Sequence, residues 1–70
     1  MVKIDVRGFS CPIPLMRVRD ALAQTSVVEV LLDDHCAREN ILKYARSQGC
    51  RCTETALNAA EIKILIEKAT

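Results

Sequence analysis

The sequence predicts a two-layer α/β sandwich in the order βαβαββ, with two helices on one face of a four-stranded mixed sheet. Three observations lead there. Apolar residues alternate with polar ones at Val2, Ile4 and Val6 and again at Ile62, Ile64 and Ile66, the period of strands with one wet face. Between them, two stretches shift to spacings of three and four, the period of amphipathic helices. The connections are short, and no repeat, linker or low-complexity tract interrupts them, so residues 1–70 read as one domain.

Each element follows from its own residues. The first strand ends at Gly8. A helix of three to four turns then carries Leu15, Val18 and Leu22 on its apolar stripe, with Pro14 and Ala21 on or beside it and Arg17, Asp20 and Gln24 mostly off it. "VVEVLLDD" at 27–34 is β-branched and aliphatic, which suits a central strand. Asp34 reads as the N-cap of a second helix whose buried face is Ala37, Ile41, Leu42 and Ala45, and Gly49 closes it. "CRCTETAL" and "EIKILIEKA" form a hairpin around "NAA".

Composition excludes several functions. Ten Lys and Arg against nine Asp and Glu leave no basic field for nucleic acid or an anionic membrane. Phe9 and Tyr44 are the only aromatics, too few for a base-stacking platform. The alternating start "MVKIDVRG" is not a secretory signal, and no apolar run nears the roughly 20 residues of a membrane span. A cytoplasmic location is therefore expected, in which Cys11, Cys36, Cys50 and Cys52 stay reduced and act as nucleophiles, ligands or core filler.

The chemistry-bearing stretch is "SCPIP" at 10–14. If the helix begins where Pro12 implies, Cys11 is its N-cap, Pro12 is N1, Ile13 is N2 and Pro14 is N3. First-turn amides lack intrahelical acceptors, so prolines are tolerated there and stiffen the turn. Pro14 removes the N3 donor, which leaves the Ile13 and Leu15 amides beside the sulfur. A cysteine at this position is expected to be exposed, and the positive end of a helix dipole favours thiolate over thiol. The plainer alternatives are a buried core thiol, or a proline-stiffened helix start with an incidental cysteine.

The run "DVRGFSCPIPLMRVRDAL" resembles the amino-terminal signature of the TusA/SirA/YedF family of small sulfur carriers, marked by Cys-Pro-x-Pro after a glycine-containing turn. The resemblance continues through "VLLDDHCARENILKYARSQGC" and "EIKILIEKA". It implies that Cys11 accepts sulfane sulfur as a persulfide from a cysteine desulfurase or rhodanese-like donor and passes it to an acceptor protein, without a cofactor. In the best-known member that relay leads towards thiolation of transfer RNA, while relatives serve other sulfur or selenium traffic. The same resemblance makes Gly8, Pro12 and Pro14 supports of the motif, and Met16, Arg19 and Asp34 a partner-binding surface. The chain departs from the best-known member at Ile13, where an acidic residue is replaced, and at His35, where a proline is replaced; Cys36, Cys50 and Cys52 lie outside the hallmark.

The remaining candidates have plainer readings. Cys50 and Cys52 share a strand face with Cα atoms about 6.5 Å apart, long for a disulfide. A zinc module would need Cys36 or His35 to join them, and the paired C-x-x-C spacing that identifies such sites is absent, so no metal is expected. His35 reads as an exposed first-turn residue, Arg17 as a solvated charge, and Asp33 as a strand end. A non-catalytic interaction module of the same fold is the alternative to a carrier, and direct RNA binding would rest on fold analogy alone.

Overall fold

A computed structural model describes residues 1–69. The elements are β1 (Val2–Asp5), α1 (Ile13–Leu22), β2 (Val27–Leu32), α2 (His35–Ser47), β3 (Cys50–Ala56) and β4 (Ile62–Lys68), the expected βαβαββ. Sheet order is β1-β2-β4-β3. β1 and β2 are parallel, β4 is antiparallel to both β2 and β3, and the hairpin thereby inserts its second strand between β2 and β3.

Register sorts the side chains onto two faces. Val28 lies beside Ile66 and Ile66 beside Cys52, while Val30 lies beside Ile64. These residues, with Val18 and Leu22 of α1 and Ala37, Ile41, Leu42 and Ala45 of α2, form one core, so both helices cover the same face. Leu32, Ile41, Ile64 and Ile66 are fully buried. Each such side chain contributes about 1.5–3 kcal/mol, so stability resides in the layer interface and not at the helix tips. The opposite face carries Glu29 between Lys3 and Lys63, at 3.9 and 3.8 Å.

The helices obey their sequences closely. In α1 the buried residues are Pro14, Val18 and Leu22, four apart, and Leu15 is half-buried beside them. In α2 the Asp34 carboxylate accepts from the Ala37 amide at 2.8 Å and caps the helix. Gly49, with φ +75°, turns the chain out of α2 in the left-handed conformation that costs glycine least. Arg38 of α2 reaches Glu54 of β3 at 2.6 Å and latches that helix onto the sheet.

Candidate functional site

Parallel pairing of β1 with β2 sends both following helices away from one edge of the sheet, so their N-termini are neighbours. Cys11 stands before α1, and Cys36 lies in the first turn of α2. Their Sγ atoms are 2.9 Å apart. Asn40, one turn after Cys36 on the same helix face, donates from Nδ2 to Cys11 Sγ at 3.0 Å and lies 3.9 Å from Cys36 Sγ. Cys11 is half-buried against the core rim, whereas Cys36 is exposed.

The Cys36 thiol is raised above its ordinary range. The hydrogen bond with Cys11 is the main cause, followed by desolvation and by the nearby charges of Cys11 and Asp34. Cys36 therefore keeps its proton to higher pH than a free cysteine. Among the described residues, Cys11, Asp34 and Cys36 each offer one ligand atom within 4.8 Å of the others. Two soft sulfurs and a carboxylate suit a thiophilic ion, although one Asp34 oxygen already accepts from Ala37.

Three expectations require correction. Pro12, with φ −99° and ψ 10°, occupies the N-cap position of α1, and among the described residues no side chain caps that helix. A turn closed by the Ile13 amide on the Ser10 carbonyl, at 3.1 Å, precedes the helix and delays its start by one residue. The Cys11–Pro12 peptide bond is cis. The Ile13 amide is thus spent on Ser10, and the polar donor to the Cys11 sulfur is the Asn40 side chain. Cys11 is also half-buried, not fully exposed, because the position before the N-cap rests on the core rim. Cys36 belongs with Cys11 and Asp34 instead of with Cys50 and Cys52. Cys50 is buried and Cys52 half-buried on the core face, the filler role that free cysteines commonly take.

The other anticipated residues divide. Gly8 has φ +83°, and its amide donates to both Asp33 carboxylate oxygens at 3.0 and 3.3 Å, which ties the Cys11 loop to the end of β2. Pro14 is buried, so it acts through packing, while Pro12 is exposed. Met16 is 46% exposed, and Phe9 and Ile13, which sequence reasoning left unassigned, are exposed to similar extents around the motif. Arg19 sits apart. It pairs with Asp20 at 3.5 Å and, with Tyr44 and Gln48, lines an open cleft of about 460 Å³ at the other end of the helices. A second cleft of about 390 Å³ opens beside Asp33, Asp34, His35 and Arg38, against the β3–β4 loop.

A two-layer βαβαββ domain with a partly accessible cysteine on a Cys-Pro-x-Pro turn falls within the class of small sulfur-carrier folds. The chain belongs to the family described as Sulfurtransferase TusA, whose sequence profile matches residues 2–68. Two archaeal relatives are provisionally named sulfur carrier proteins. That of Methanocaldococcus jannaschii is 31% identical, the alignment covering 97% of this chain and 95% of the relative. That of Archaeoglobus fulgidus is 32% identical over 97% of each. The crystal structure of a SirA-like protein from Desulfitobacterium hafniense superposes with a TM-score of 0.88 at 34% identity, covering 96% of both chains. Among the described residues no helix is long and apolar enough to cross a membrane.

Proposed function

We propose that this chain carries sulfane sulfur on Cys11, accepting it from a cysteine desulfurase or rhodanese-like donor and delivering it to an acceptor protein, with transfer RNA thiolation as a destination. The observation that carries the reading is the Cys11 sulfur itself, partly open to solvent and held by Asn40 on a turn with exposed Ile13 and Met16 beside it. The Cys11 thiolate attacks the outer sulfur of the donor persulfide, the donor thiolate leaves, and Cys11 retains the sulfur until a second thiol repeats the exchange. Gly8, Pro12 and Pro14 support the motif turn. Met16 and Asp34 form the docking surface beside Cys11, and Arg19, in the last turn of α1, serves only a partner that reaches the far end of that helix. Such exchange requires no cofactor.

Mass spectrometry after brief incubation with a cysteine desulfurase and cysteine, followed by acid quench, tests this. The expected result is a gain of about 32 Da on the peptide containing Cys11, absent from a folded Cys11→Ser variant. A Cys11→Ser variant that keeps full cellular function would instead make the chain a non-catalytic interaction module. Preferential loading from a selenium donor would reassign the cargo.

A further inference from the structure

Cys36 has no part in the exchange just described, yet its Sγ lies 2.9 Å from Cys11 Sγ. That is inside the reach of roughly 3–3.5 Å at which reacting atoms are poised, and less than about 1 Å of approach separates it from a sulfur–sulfur bond of about 2.05 Å. Asn40 contacts both sulfurs, more closely Cys11, and holds the target in place. Cys36 is exposed and sits in the first turn of α2, outside the packed core.

Resting on the carrier reading, we infer that Cys36 is a resolving thiol: it attacks the inner sulfur of the Cys11 persulfide, closes a Cys11–Cys36 disulfide and expels the carried sulfur as hydrosulfide. The step balances. Cys36 Sγ–H and Cys11 Sγ–S⁻ become the Cys11 Sγ–Sγ Cys36 bond and HS⁻; the bond from Cys11 Sγ to the outer sulfur breaks, and the Cys36 proton goes to the leaving sulfur. The sulfane sulfur gains two electrons and the cysteine pair supplies them, so no oxidant is required. A dithiol reductant returns the pair to its starting state.

This chemistry gives the domain a second output. An acceptor docked at the turn takes the outer sulfur before Cys36 acts, whereas an unclaimed persulfide is released as sulfide and the carrier closes until it is reduced.

Wild type and Cys36→Ser are loaded anaerobically with a cysteine desulfurase and cysteine, desalted, and followed by intact mass, peptide mapping and sulfide assay. Cys36→Ser is expected to hold its added sulfur at least about tenfold longer. Wild type should end about 2 Da lighter than the reduced chain, with one sulfide released and a dithiothreitol-sensitive link between the Cys11 and Cys36 peptides. Equal persulfide lifetimes in the two proteins, or added sulfur migrating to the Cys36 peptide, overturns the inference while leaving the carrier reading intact. Failure of both proteins to acquire sulfur removes the carrier reading instead.

Discussion

Asp33 holds Gly8 across two loops: one amide donates to both oxygens of one carboxylate, 3.0 and 3.3 Å away. The residues are 25 positions apart, and the contact fixes the entry to the Cys11 turn to the exit of β2. Under the proposed function, a turn visited by both donor and acceptor benefits from a set position, and this clamp supplies one without burying the thiol.

Substitution at Gly8 separates conformation from space. Among the described residues beyond its chain neighbours, nothing lies within 4 Å of where a Cβ would stand, so the cost of Gly8→Ala comes from its φ of +83°. That cost is expected to be about 1 kcal/mol by urea unfolding, and smaller for Gly8→Asn, since asparagine visits the left-handed region more readily.

Asp34 has one role in capping α2 and a separate one, proposed above, in docking. Asp34→Ala removes the acceptor for the Ala37 amide and should lower stability by about 1 kcal/mol. Asp34→Asn keeps the cap, so its stability should stay near wild type while donor affinity, measured by titration calorimetry, falls several-fold. Equal loss of affinity and of stability in both variants would reduce Asp34 to a cap.

Asn40 supplies the polar donor to Cys11. Asn40→Asp replaces that donor with an acceptor and adds negative charge beside the sulfur, so peptide-resolved iodoacetamide alkylation of Cys11 at pH 7 should slow by several-fold. An unchanged rate would show that the 3.0 Å contact does not govern the thiol.

The pH profile of Cys36 reports the sulfur pair directly. Its folded pKa lies above the ordinary 9.0, chiefly because of Cys11. Cys11→Ala should therefore move the midpoint of Cys36 alkylation down towards 9.0. The sign for stability follows: a group whose pKa is raised on folding stabilises the native state below its unfolded value and loses that contribution as pH climbs through the folded value. The stability difference between wild type and Cys36→Ser should accordingly narrow above pH 9.

The sheet and helices were legible because they depend on period. Ala37, Ile41, Leu42 and Ala45 recur at helical spacing, and all four are buried; Asp34 caps where a short acceptor before an apolar run should. Cys11 was visible because two prolines mark its turn, but the start of α1 was displaced by the Ser10–Ile13 turn, which no propensity encodes. The partnership of Cys11 with Cys36 and Asn40 went unread because contact between residues 25 and 29 positions apart is a property of topology. One signal was present. Two consecutive strand-to-helix units with parallel strands must open their helices at one sheet edge, and Cys11 and Cys36 stand at those two openings. The clamp between Asp33 and Gly8 left no comparable trace, since it depends on loop geometry.

The strand directions carry a consequence for how this domain can be joined to other polypeptides. β1 runs towards the sulfur pair from Val2, and β4 runs away from it, ending at Lys68, whose amide meets the Ser26 carbonyl at the start of β2. Residues 2 and 68 therefore lie at the far edge of the sheet in a body 33 Å long. A passenger fused at either point would trail behind the end that holds Cys11 and Cys36, so this domain can be tethered in a larger assembly without that end being shadowed.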